Sequence, residues 1–359
     1  MVALASSLVG RCAARLAQLD RALASEARGH RFDSCIARHH PHPHPFRGSA
    51  FCGMLETPRR SERAKFVEHR LMNVTFWGVR GSIPTPDSDH MRWGGNTSCL
   101  EVSVPGEPPL ILDCGTGIRR LGQRIASAGA SRVDILLSHV HIDHVVGLPF
   151  FAPLHQPDVN VTVTVPAFSD EEASEKITRY LNGTLHPLRL DDMNCKLVIA
   201  GMRPGQPFKR AGFEVIACAL NHPGGSLAYR IERGGRSFCY VTDTAPLAAY
   251  GEGVAAGKAM SAAEERVSAF LQDADFVVFD TMFSEAEYVE RMTWGHAYPE
   301  YAAALCAASG VKTLCLFHHL PSADDTRMDA LSKHWQEAPG PMRVVVAREG
   351  ETVEVGSES

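Results

Sequence analysis

No stretch of this 359-residue sequence approaches the roughly 20 consecutive apolar residues that a helix needs to cross a bilayer. None of its ten cysteines falls in a CxxC pair, the spacing of many zinc and redox sites. Cys218, Cys239 and Cys315 lie instead in apolar, strand-like contexts, which suits buried thiols in a reducing compartment, and the expected location is cytoplasmic. Positive charge is scarce over most of the chain. Residues 1–71 carry 12 Lys+Arg and 6 Asp+Glu, which leaves 24 basic and 35 acidic residues in the remainder, a net of −11. A body this acidic lacks the clustered cations that grip a long polyanion, so small-molecule substrates are expected rather than long nucleic acid, and with no spanning stretch no membrane partner is expected. The 45% hydrophobic content is ordinary for a globular core, in one large domain or two small ones, and leaves a homodimer open.

What the chain does contain is a cluster of ligand-type residues. His139, His141, Asp143 and His144 fall within six positions, straight after the apolar run Val133-Asp134-Ile135-Leu136-Leu137. That run reads as a buried strand, and alternation along an extended segment puts His139 and His141 on one face. Asp143 and His144 follow where the chain turns and can aim at a second point nearby. A lone histidine on such a loop would be structural; four ligand types in six positions point to a dinuclear hydrolytic site.

This cluster resembles the HxHxDH signature of the metallo-β-lactamase fold superfamily. Further segments extend the likeness from about Met72 to the Arg348 region. Asn73-Val74-Thr75-Phe76-Trp77-Gly78-Val79-Arg80-Gly81-Ser82 resembles the start of the branch that holds the cyclic-phosphate phosphodiesterase of phosphonate catabolism and ribonuclease Z. Leu112-Asp113-Cys114-Gly115-Thr116-Gly117, Asn221-His222-Pro223-Gly224-Gly225-Ser226, Val241-Thr242-Asp243-Thr244 and Leu316-Phe317-His318-His319 resemble the first, third, fourth and fifth motifs, in the right order. The resemblance implies an αβ/βα four-layer sandwich, two packed mixed sheets with outer helices, and a metal site at one edge between the sheets. It places His139, His141 and His222 on one metal and Asp143, His144 and His318 on the other, with Asp243 bridging. His319 is the substitute if its strand ends one residue later.

Taken alone, His222 reads as a loop histidine and Asp243 as a turn-former, while His318 is an even choice. Their common position after an apolar strand is what raises them. Two divalent metal ions are expected, zinc first, with manganese or iron suited by the same donors. A carboxylate at Asp243 can hold two cations about 3.5–4 Å apart, whereas the β-lactam-hydrolysing branch typically has a Cys there. Water shared between them becomes a nucleophile near neutral pH. The catalytic candidates are Asp143, within the cluster, and His296, in Trp294-Gly295-His296 ahead of a helix starting at Pro299. The phosphodiesterase branch often has a hydroxyl pair after this histidine, where Ala297 and Tyr298 stand here. The helix N-terminus is expected to favour phosphate and to lower the imidazole pKa. Asp113 is read either as an orienting partner of a ligand imidazole or as a cap of the helix after Gly117. Asn96, Thr97 and Ser98 are weaker candidates.

The expected domain spans residues 72–359. Residues 1–71, rich in Ala and Arg and containing His39-His40-Pro41-His42-Pro43-His44-Pro45, read as a basic, disordered extension. A transit peptide or a natural start at Met54 or Met72 are the other readings. Strands are expected at Val74–Trp77, Cys99–Val104, Leu110–Asp113, Val133–Ser138, Val159–Val165, Phe213–Leu220, Leu227–Glu232, Phe238–Thr242, Phe276–Asp280, Thr313–Phe317 and Met342–Val346. Helices are expected after Gly117, from Ser169, Ser261 and Pro299, and over Asp325–Trp335. The function expected is a phosphodiesterase cleaving a small or cyclic phosphodiester through a metal-bridging hydroxide. The alternative is an acyl hydrolase of a lactone or thioester on the same site; a transfer-RNA 3′-processing nuclease and a non-catalytic binding module rank below.

Overall fold

The computed structural model describes residues 72–357, so the extension expected at 1–71 lies outside the described residues. In chain order the first strands are β1 (Asn73–Gly78), β2 (Cys99–Ser103), β3 (Leu110–Leu112), β4 (Arg132–Leu136), β5 (Asn160–Pro166), β6 (Lys196–Met202) and β7 (Phe208–Arg210). They are followed by β8 (Phe213–Ala219), β9 (Leu227–Arg233), β10 (Arg236–Val241), β11 (Phe276–Asp280), β12 (Thr313–Phe317), β13 (Arg343–Val346) and β14 (Thr352–Glu354). One sheet runs β14-β1-β2-β3-β4-β5-β6 and the other β13-β12-β11-β10-β9-β8-β7. β14 returns to pair antiparallel with β1, Asn73 opposite Glu354.

Burial along β1 alternates, with Val74 and Phe76 inward and Thr75 and Trp77 partly exposed, the period of a strand with one face on a core. Phe76, Leu100 and Leu112 of the first sheet meet Phe213, Tyr229, Phe238 and Phe317 of the second in one cluster. The sheets therefore pack face to face. Helices α1 (Ile118–Ser127), α2 (Ile142–Val145) and α3 (Asp170–Thr178) belong to the first half of the chain. α4 (Ala262–Leu271), α5 (Glu285–Glu290), α6 (Pro299–Ala308) and α7 (Asp325–Gln336) belong to the second. α1 and α3 cover the outer face of the first sheet through Leu121, Ile125 and Ile177. α4, α6 and α7 cover the second through Val267, Leu305 and Met328. This is the four-layer sandwich the resemblance implied. No helix among the described residues is long and apolar enough to cross a membrane.

The expected strands and longer helices agree with the structure within two residues at each end. β6, β7, β14, α2 and α5 were not expected. β6 and β14 are edge strands of their sheet and are only partly buried, so their burial pattern is weak; α2 is a single turn. Packing and site meet at Phe317, whose ring lies 6.2 Å from Phe76 and 5.8 Å from Tyr240. A buried phenylalanine of this kind contributes about 3–5 kcal/mol against alanine, and it anchors the residue that follows, His318.

Candidate metal centre

Parallel neighbours finish side by side, so β3, β4, β10, β11 and β12 present their last residues at one edge. Asp113 follows β3, the His139–His144 loop follows β4, His222 follows β8, Asp243 follows β10, Asp280 ends β11 and His318 follows β12. His139 Nε2 and His222 Nε2 lie 3.6 and 3.7 Å from Asp243 Oδ2, and His141 Nδ1 lies 3.0 Å from His222 Nε2. The other oxygen, Asp243 Oδ1, is 3.1 Å from both His144 Nε2 and His318 Nε2. These two rings also approach Asp143 Oδ2, at 3.2 and 3.3 Å. Two donor sets thus share one carboxylate, one set at each oxygen, and the atoms of each lie within 4.8 Å of one another. The set around Asp143 is wholly buried, while the other reaches solvent at His141. The donors suit a divalent cation: His139 Nε2 is buried without a hydrogen-bond partner among the described residues, and an ion held by these atoms would satisfy it.

Hydrogen bonds behind the rings decide which nitrogen faces inward. Asp113 accepts from Ser138 N–H (2.7 Å), Ser138 Oγ (2.8 Å), Tyr240 Oη (2.8 Å) and His144 Nδ1 (2.8 Å). A carboxylate only accepts, so His144 donates through Nδ1 and turns Nε2 toward Asp143 and Asp243, leaving Nε2 as the nitrogen that could ligate a cation. Ser138 Oγ, donating to Asp113, accepts from His139 Nδ1 at 3.0 Å, and the Gly295 carbonyl accepts from His222 Nδ1 at 2.8 Å. The reading of Asp113 as a helix cap is not met: α1 is preceded by Gly117, with no side-chain cap.

The electrostatics follow from burial and crowding. Burial opposes charge on His144, but the carboxylates of Asp243, Asp143 and Asp113 outweigh it and raise its pKa well above the ordinary value. Burial and the His144 imidazole push His139 the other way. For Asp143 and Asp243 burial opposes ionisation, and the flanking His144 and His318 prevail, holding both carboxyls far below their usual range.

Five described non-glycine residues have positive φ, and three of them serve this centre: Ser82 (62°), Asp113 (60°) and His318 (63°). Such backbone costs of order 1–3 kcal/mol per residue and persists only where the surroundings enforce it. Ser82 donates its N–H to Asp143 Oδ2 at 2.8 Å. Gly81 presses so close that a Cβ there would stand 2.5 Å from the His318 ring. His318 enters the cluster and His319 does not; His319 Nε2 instead lies 2.7 Å from the Ala347 carbonyl, and burial takes its pKa down to about 3. Thr97 and Ser98 act behind the site, tying β2 to the loop after β3 through Thr116 and Gly115.

His296 Nδ1 is 2.9 Å from Asp280 Oδ2 and 3.9 Å from Asp243 Oδ2. Burial lowers its pKa, but the Asp280 carboxylate more than compensates and takes it up to about 9. The expected lowering by the α6 N-terminus is therefore corrected: a full charge in contact outweighs a helix's partial charge. Asp280 also accepts from Thr244 N–H and Met282 N–H, both at 3.1 Å, and so fixes the His296 ring where Ala297 and Tyr298 stand in place of the hydroxyl pair. Asp280 was missed in the sequence. The signal was there, since it is a ligand-type residue ending the apolar run Phe276–Phe279, the rule that raised Asp243 and His318.

A family model described as the Beta-lactamase superfamily domain matches residues 110–319, a span that contains every residue of the two metal-donor sets. The chain belongs to this superfamily. Ribonuclease Z of Archaeoglobus fulgidus is 26% identical to it over 168 residues, 45% of this chain and 48% of that protein, about half the relative's length. Ribonuclease Z of Bradyrhizobium diazoefficiens is 24% identical over 282 residues, 68% of this chain and 88% of that protein. Among solved structures, the metallo-beta-lactamase fold protein YhfI from Bacillus subtilis matches 79% of this chain and 99% of its own at 19% identity and a TM-score of 0.57, a likeness of fold. The beta-lactamase superfamily chain is thus a metallo-β-lactamase fold hydrolase with metal-binding residue clusters.

Proposed function

We propose that this hydrolase is a metal-dependent phosphodiesterase acting on a small or cyclic phosphodiester. One observation carries the reading: an imidazole hydrogen-bonded to the Asp280 carboxylate stands beside two donor sets joined through Asp243. Cleaving an alkyl phosphodiester needs charge neutralised on the phosphate oxygens, an activated water and a proton for the departing alkoxide. His139, His141, His222 and Asp243 would hold one divalent ion, and Asp143, His144, His318 and Asp243 the other, with zinc the expected metal. Bound there, the ions supply Lewis acidity to the phosphate and lower the pKa of water.

The chain's own residues do the rest. Asp113, Ser138 and the Gly295 carbonyl orient three of the imidazoles. Ser82 N–H steadies Asp143, and His296 holds a proton for the leaving oxygen, with Asp280 as its counter-charge. The relatives' names favour a second reading, a ribonuclease Z activity. The 35 acidic against 24 basic residues beyond residue 71 oppose a long polyanion and favour the small substrate.

The test is metal stoichiometry of reconstituted protein together with rates on alkyl and cyclic diesters, cyclic nucleotides, precursor transfer RNA, lactones and thioesters. Preferred turnover of small diesters supports the proposal. Efficient lactone or thioester hydrolysis with no diester cleaved overturns it, and preferred cleavage of the RNA moves it to the second reading.

A further inference from the structure

Trp294 is 60% exposed, on a backbone fixed to the metal centre. The next residue, Gly295, runs at φ 88°, and a Cβ there would stand 2.4 Å from Pro223 and 2.6 Å from His222 Nδ1. The residue after that is His296, whose ring centroid is 5.4 Å from that of His222. Phe283 meets both sides of this tripeptide edge-on, its ring 6.2 Å from Trp294 and 5.8 Å from His296. The Arg291 guanidinium lies 5.9 Å from the indole, and the Trp294 backbone N–H donates to the Arg291 carbonyl at 2.9 Å.

The indole is held at its root while most of its surface faces water. Its ring N–H has no hydrogen-bond partner among the described residues. Those of Trp77 and Trp93 reach Glu101 (3.1 Å) and Asp329 (2.9 Å). A large aromatic group left in water beside a reactive centre, with its donor unused, is surface available to a ligand. Ile142, between His141 and Asp143, is 52% exposed, so apolar surface stands next to the donors as well.

We propose that Trp294 is a specificity-determining residue whose indole stacks on a nucleobase carried by the phosphodiester. A flat aromatic ring extends the sequence of rings His296–Phe283–Trp294, and the Arg291 cation beside it strengthens such a stack. The indole N–H then remains free for a sugar or phosphate oxygen. This rests on the phosphodiesterase reading and narrows its substrate to nucleotides.

The test uses full-length, metal-reconstituted protein with adenosine 2′,3′-cyclic phosphate and a base-free cyclic phosphodiester of glycerol. Trp294→Ala should raise KM for the nucleotide about 5- to 150-fold, the range for losing one base–aromatic stack. It should leave kcat and the glycerol diester nearly unchanged, and Trp294→Phe should restore most of the loss. A second readout needs no turnover: adenosine monophosphate should quench tryptophan emission in the wild type, and Trp294→Phe should abolish the quench while binding by calorimetry persists. Equal KM changes for both substrates, or a quench that survives Trp294→Phe, overturn the proposal and leave the phosphodiesterase reading standing. A wild type that cleaves no diester removes that reading instead, and the quench still decides whether Trp294 receives a base.

Discussion

If His296 protonates the departing oxygen, removing its imidazole penalises only substrates whose leaving group needs a proton. The Asp280 carboxylate in contact takes the His296 pKa up to about 9 in the metal-free protein, which favours the imidazolium at neutral pH. His296→Ala should therefore lower turnover of alkyl or ribosyl diesters by about 10²–10⁴-fold, the usual worth of a general acid. A nitrophenyl diester should lose much less, and metal content should not change. The companion substitution is Asp280→Asn. The distance between about 9 and the ordinary 6.5 corresponds to about 3 kcal/mol, so loss of the carboxylate should move the alkaline limb of kcat/KM to lower pH by up to about two units. Cations bound near Asp243, 3.9 Å from His296 Nδ1, push both limbs down, so the displacement between the two proteins is the diagnostic. The sign is that of a raised pKa. The donor, and the stability from its ion pair, are fully present below about 6.5 and are lost as pH rises through about 9 in the metal-free protein. Rate profiles from about pH 5 to 10, with thermal unfolding alongside, read both. Equal losses on the two leaving groups would assign His296 to phosphate binding or structure. A lost metal would make it a ligand, and an unmoved limb would remove Asp280 from the tuning.

The two donor sets predict two ions per chain by elemental analysis. Asp143→Ala should empty mainly the buried set and His139→Ala the other, each with severe loss of turnover, and a single ion at full wild-type activity would refute the pairing. Asp113→Asn, which places an amide where His144 Nδ1 now donates, should weaken metal affinity by about 10- to 100-fold in chelator competition; unchanged affinity would remove its orienting role. Deleting residues 1–71 should leave metal content and rate nearly unchanged, and a chain beginning at Met72 that cannot fold would show the extension to be structural.

The His139–His144 cluster is legible because its donors are local: four ligand types in six residues, after one apolar run. His222, Asp243 and His318 are legible for a related reason, since each follows a strand whose alternation or apolar run is written in its own few residues. The sequence by itself therefore determined which side chains stand at strand ends, while its strand pattern only allowed two packed sheets and the layered fold was implied by the resemblance of its motifs. Asp280 carries the same strand-end signal, but that signal does not give its role, because an aspartate after an apolar run is as often a turn-former and only the parallel pairing of β10, β11 and β12 brings it to His296. Nor did the sequence separate His318 from His319. That choice is made by one left-handed residue at the end of β12 and by the Ala347 carbonyl that holds the other ring. The Ser82 N–H on Asp143 is a backbone contact, invisible to any motif of side chains. Residue identity and local period belong to the chain in one dimension; which atoms meet is decided by strand order and by the few dihedrals that turn a ring inward or outward.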